Sequence, residues 1–161
     1  MKPLRLIITV LCLAIVSNAI VAAKQAKKKP SAKPQVEYLP SAETKSQNLP
    51  FSDAVRVGNM LYLAGKIGTV PGTLDLAPGG IEPETKQALE NIGRVLTANG
   101  SSFSNVVKCT VMMADMKEWP EMNKVYVTFF PKDHLPARSA FGTTGLARNA
   151  RVEIECMAVV K

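Results

Sequence analysis

The order of elements predicted for this 161-residue chain is that of an α+β fold, a mixed sheet with two helices on one face. Three observations predict it. Strand-like runs precede, separate and follow two helical segments, and such an order packs helices on a sheet. The helical segments place apolar side chains at helical spacing. The final strand alternates apolar and polar residues.

The elements follow in order. Ala54–Val57 and Met60–Ala64 flank Gly58-Asn59, a two-residue hairpin signal. Gly65-Lys66-Ile67-Gly68 continues as a strand whose glycines admit close backbone approach. Residues 70–80 are rich in Pro and Gly and read as a loop. A helix starts around Pro83, with Leu89, Ile92, Gly93 and Leu96 on one face, and Asn99-Gly100 stops it. Val106–Ala114 is a long apolar strand. Asp115 opens the turn into a second helix, with Pro120 in its first turn and Pro131 past its end. Trp119, Met122, Tyr126 and Phe129 form its apolar stripe, read as core. Residues 136–141 and 151–155 read as two strands joined by a turn through Gly145-Leu146. Antiparallel pairing about that turn would set Arg138 opposite Glu153.

In the last strand Val152, Ile154, Cys156 and Ala158 point one way, and Arg151, Glu153, Glu155 and Met157 the other. If the first set faces the helices, Glu153 faces away from them. Val107, Val111 and Met113 are expected on that second face, which would then pack on another subunit.

The folded domain is expected at 49–161. Residues 1–23 have the order of a secretory signal: Lys2 and Arg5, an apolar run at 6–16, and small residues at Ala19 and Ala23. The run is short for a transmembrane helix, so export to the periplasm or medium, with no stable membrane anchor after cleavage, is the expectation. Residues 24–48, rich in Lys, Pro and Ala, carry too little apolar surface to offset ordering entropy and read as a disordered linker.

The net charge of +7 divides unevenly. Residues 1–50 hold eight basic and two acidic side chains; residues 51–161 hold twelve and eleven. The domain is nearly neutral, without the basic excess of a nucleic-acid grip. His134 is the only histidine, and no cysteine pair has ligand spacing, which argues against zinc. No glycine-rich phosphate loop is present, and no cofactor is implied. Cys109 and Cys156 sit in apolar strand patterns, where either one disulfide or two buried thiols fits.

Arg138 and Glu153 are the candidate chemistry. A guanidinium grips a carboxylate with two parallel hydrogen bonds, and a nearby carboxylate can hold or activate water. The alternative is a cross-strand ion pair on a solvated face.

The region 49–160 resembles the Rid family, whose best-known members are the RidA imine deaminases. Pro136-Ala137-Arg138, Leu146 and Val152-Glu153-Ile154 are similar to its signature, and Ala64-Gly65-Lys66-Ile67-Gly68 to its Ser-Gly-Gln-Ile-Gly segment. Residues 87–92, 105–108 and 123–126 also fit. The resemblance implies a chorismate-mutase-like fold and a homotrimer with sites between subunits. It implies hydrolysis of reactive enamines and imines of 2-amino acids to 2-oxo acids and ammonia, as in 2-iminobutanoate/2-iminopropanoate deaminases. Arg138 would clamp the carboxylate of a small imino or 2-oxo acid and Glu153 would position the attacking water. Phe51, Gly65, Asn123 and Ala140 would line the pocket. The chain departs from the pattern at Phe51, where a tyrosine is usual, at Asp53 and Lys66 for glutamines, at Ala64 for serine, and at Ala140 for a frequent cysteine. Two other readings stay open: a non-catalytic trimer that binds small carboxylates, and the ribonuclease activity attributed to some members.

Overall fold

The computed structural model describes residues 33–160. The expected signal at 1–23 and the linker stretch 24–32 lie outside the described residues, as does residue 161. In chain order the elements are β1 (Val36–Leu39), α1 (Ala42–Ser46), β2 (Ala54–Val57), β3 (Met60–Leu63) and β4 (Lys66–Ile67). They continue with α2 (Ile81–Ala98), β5 (Val106–Met113), α3 (Trp119–Tyr126), β6 (Ala137–Gly142) and β7 (Val152–Val159). The sheet order is β1-β2-β3-β7-β5-β6, with β4 also paired to β7. Every pairing is antiparallel except β5 with β6, so the sheet is mixed as the sequence predicts.

Local chemistry explains the elements. Gly58, at φ +59°, makes the expected turn between β2 and β3. Gly80, at φ +98°, precedes α2, and Glu82 and Glu84 lie in its first turn, where the helix dipole favours negative charge. Ile81, Ala88, Leu89, Ile92 and Leu96 of α2 are buried with Met122 and Tyr126 of α3. They pack in one core with Leu61, Cys109, Val111, Met113, Val152, Ile154, Cys156 and Ala158 of the sheet.

The domain starts earlier than the predicted boundary. Residues 33–48 were expected in the linker, yet β1 extends the sheet beside β2, and Ser41 caps α1 by accepting from the Thr44 amide at 3.1 Å. The segment holds its place by satisfying backbone groups on a sheet edge. Its apolar content understates that contribution.

The two C-terminal strands are not a hairpin. β5 lies between them, pairing parallel with β6 on one edge and antiparallel with β7 on the other. The chain leaves β5, passes through α3 and returns in β6 along the free edge of β5, the route parallel neighbours require. Val111 and Met113 also differ from expectation. A register shift between Val106 and Lys108 places them on the helix face, fully buried. Cys109 and Cys156 are directly opposed across β5 and β7, with Cα atoms 4.1 Å apart, and are joined by a disulfide.

Candidate active site

Arg138 emerges from edge strand β6. Its register partner on β5 is Cys109, a buried residue facing the helices, so Arg138 lies on the helix face. There α3 holds it. Residues 119, 123 and 126 share one helix face at spacing 0, 4, 7. Arg138 Nη1 donates to Asn123 Oδ1 at 2.8 Å. The guanidinium carbon lies 4.9 Å from the centroid of the Trp119 ring and 4.6 Å from that of Tyr126. Burial pushes the Tyr126 phenol up to about 12, against the opposing charge of Arg138. Ala140, two residues beyond Arg138, packs against the core on the same face.

Glu153 occupies the other face. Its partner on β5 is Met112, which points away from the helices. The half-buried carboxylate lines a cavity of about 870 Å³ together with Phe51, Ala64, Gly65 and Lys66. Burial, assisted by the charge of Glu155, pushes the Glu153 carboxyl above its ordinary value. Residue 65 must be glycine for the carboxylate to stand there. A Cβ at this position would overlap Glu153 Oε1 and come within 2.9 Å of Cδ.

The six predicted site residues therefore form two groups. Arg138, Asn123 and Ala140 meet at the α3 edge; Phe51, Gly65 and Glu153 share the cavity. Within one chain the groups do not converge. From the register, Arg138 and Glu153 are two strands across and three residues along, a Cα separation of roughly 14 Å, on opposite faces of the sheet. A cross-strand ion pair is thereby ruled out within the chain.

Two departures from the Rid pattern are one interaction. Lys66 Nζ donates to Asp53 Oδ1, and the pair is largely buried, with side chains 16% and 10% exposed. Asp53 Oδ2 accepts from the Thr44 hydroxyl and, at 2.7 Å, from the Ser41 amide. Burial alone would raise the Asp53 carboxyl, but Lys66, Thr44 and Ser41 outweigh it and hold the group well below the usual carboxylate range. The network pins α1 against β4, beside the cavity. Asp53→Asn is expected to cost about 3 kcal/mol by leaving the ammonium unpaired, measurable by denaturant unfolding. A depressed carboxylate stabilises the fold above its unfolded pKa. That contribution should be lost in the wild type as pH falls below 3.8, and should be missing from the variant.

Sequence reasoning missed two features. Trp119 and Tyr126 read as core, although their spacing around Asn123 signals a shared face; Tyr126 is core, and both rings also serve Arg138. Asp53 and Lys66 read as separate departures from the pattern, although opposite charges at two altered positions signal a pair.

The fold and site define a class: small α+β proteins with a ring-packed arginine and a cavity carboxylate on opposite faces of one mixed sheet. The profile of the Endoribonuclease L-PSP family matches residues 43–160, and the chain belongs to this family, which includes the Rid proteins. A 2-iminobutanoate/2-iminopropanoate deaminase of Mus musculus is 46% identical over 110 residues, covering 68% of this chain and 81% of the relative. Reactive Intermediate Deaminase A, chloroplastic, of Arabidopsis thaliana is 38% identical over 111 residues, 69% of this chain and 59% of the relative. The crystal structure of a Rid-family protein from Yersinia pestis matches with a TM-score of 0.72 at 32% identity, covering 78% of this chain and all of that one.

Proposed function

We propose that this protein hydrolyses reactive imines and enamines of 2-amino acids to 2-oxo acids and ammonia. The observation that carries the reading is that one fold holds both a guanidinium packed by aromatic rings and a cavity carboxylate whose pKa is raised. Arg138 takes the substrate carboxylate in a two-point grip and so orients the imine carbon. Glu153 holds a water and accepts its proton as oxygen bonds to that carbon. That proton passes to nitrogen to give the carbinolamine; Glu153 then takes the hydroxyl proton and delivers it to the amine as the C=O bond forms, the C–N bond breaks and ammonia leaves. One water is consumed and no redox change occurs.

Because the two groups do not converge in one chain, the working site joins the Arg138 edge of one copy to the Glu153 cavity of the next. Such head-to-tail contacts close into rings, in keeping with a homotrimer. Tyr62, Phe141 and Met157 are exposed on the sheet face away from the helices, a surface suited to subunit packing. Export is part of the proposal. The signal-like 1–23 segment motivates it, and a core disulfide suits an oxidising compartment. Amino-acid oxidases or dehydrogenases acting there would supply imines.

The test generates the imine in situ with an amino-acid oxidase and follows ammonia and 2-oxo acid. Acceleration by the wild type and its loss in Arg138→Ala are expected; equal rates for the two would remove the clamp. Because Glu153 must be ionised to act as a base, kcat/KM should fall on the acid side. The midpoint should lie above the ordinary glutamate value of 4.5. A second reading, carboxylate binding without catalysis, draws on Phe51 and Ala64, which bring no hydroxyl to the cavity. Binding of 2-oxobutanoate that depends on Arg138, without faster imine hydrolysis, would favour it. The nearly neutral domain argues against a role in RNA cleavage.

A further inference from the structure

We propose that Trp119 is the positioning residue of the carboxylate clamp: its ring, with that of Tyr126, holds the Arg138 guanidinium so that its donors are set before substrate arrives. The proposal rests on the assignment of Arg138 as the clamp.

The geometry argues for it. Arg138 lies on an edge strand, where a long side chain keeps most of its rotamers unless something restrains it. Two aromatic rings within 5 Å of its guanidinium carbon supply a restraint without using a single N–H donor. Asn123 Oδ1 takes one donor, on Nη1, at 2.8 Å, and this is the one hydrogen bond from the Arg138 side chain among the described residues. The rings restrict the guanidinium and Asn123 fixes its rotation, which leaves the remaining N–H groups for a ligand. Preset donors lower the ordering cost of binding.

The two rings are not equivalent. Tyr126 is 3% exposed and packs on Phe130 with ring centroids 4.7 Å apart, so altering it disturbs the core. Its hydroxyl is buried with no hydrogen-bond partner among the described residues, which leaves the ring as the part that serves Arg138. Trp119 is only half-buried at the start of α3, where a change of ring is better tolerated. It is also the only tryptophan in the chain, so its fluorescence reports directly on the clamp.

The test uses the full-length assembled protein and 2-oxobutanoate as the probe. Titration of the wild type is expected to change tryptophan fluorescence saturably, and Arg138→Ala is expected to abolish the change. By calorimetry, Trp119→Leu should weaken 2-oxobutanoate binding about tenfold. It should raise KM for the imine by a similar factor and leave kcat within about twofold, because the ring acts on orientation before chemistry. Trp119→Tyr restores an aromatic face and should recover most of the affinity. Thermal unfolding confirms that each variant is folded. Wild-type protein that fails to bind 2-oxobutanoate overturns the proposal, and so does unchanged affinity in folded Trp119→Leu. Equal loss in the Leu and Tyr variants also overturns it, since that marks a packing role. Binding that weakens in Trp119→Leu, in a protein that does not hydrolyse imines, supports the platform and removes the deaminase reading instead.

Discussion

Arg138→Ala and Glu153→Gln preparations, each nearly inactive alone, are expected to recover about a quarter of wild-type deaminase activity when unfolded together and refolded as mixed rings. The expectation follows from the register of three strands. β6 and β7 lie on either side of β5, so Arg138 pairs with Cys109 on the helix face and Glu153 with Met112 on the other. One chain cannot bring both to a ligand. In a ring where each cleft takes its arginine from one subunit and its glutamate from the next, random mixing pairs an intact arginine with an intact glutamate in about one cleft in four. Each variant alone lacks either the proposed clamp or the proposed base, and loss of a general base lowers rate by roughly 10²- to 10⁴-fold. Recovery is therefore read against a low background. Mixed rings that form but stay inactive would mean that the two residues do not share a cleft between subunits.

The second large effect concerns the core. Reduction of the Cys109–Cys156 disulfide, followed by refolding under reducing conditions, is expected to cost about 4 kcal/mol for a loop of this length. The sequence separation is 47 residues. For a domain of this size that corresponds to a fall of about 15 °C in Tm. Comparing the same chain oxidised and reduced avoids the cavity a cysteine substitution would leave. The bond ties β5 to β7, the two strands whose register sets where Glu153 stands relative to Arg138. A reduced protein as stable as the oxidised one would make the bond incidental and weaken the argument for an oxidising compartment.

Much of the fold was legible because its signals are local. The turn at Gly58-Asn59, the α2 stripe of Leu89, Ile92 and Leu96, and the alternation of β7 depend on neighbours a few residues apart, and all three stand where the sequence puts them. Sequence missed β1 because an edge strand held by backbone hydrogen bonds needs little apolar surface. It placed Val111 and Met113 on the wrong face because one irregularity near Val107 reverses every later side chain.

The site divides along the same line. The sequence supplied its residue types: an arginine that can fork a carboxylate, a glutamate that can hold water, a glycine beside it. Residue type and signature spacing are written in the chain itself. What the chain does not write is which strand neighbours which, since β6 could have folded back on β7 or crossed over α3 to β5 at similar local cost. The tertiary structure decided for β5. That choice put Arg138 among the aromatic rings of α3 and Glu153 in a cavity on the opposite face. It follows physically from β7 already filling the other edge of β5, so that the strand after α3 could satisfy its backbone only along the edge left open.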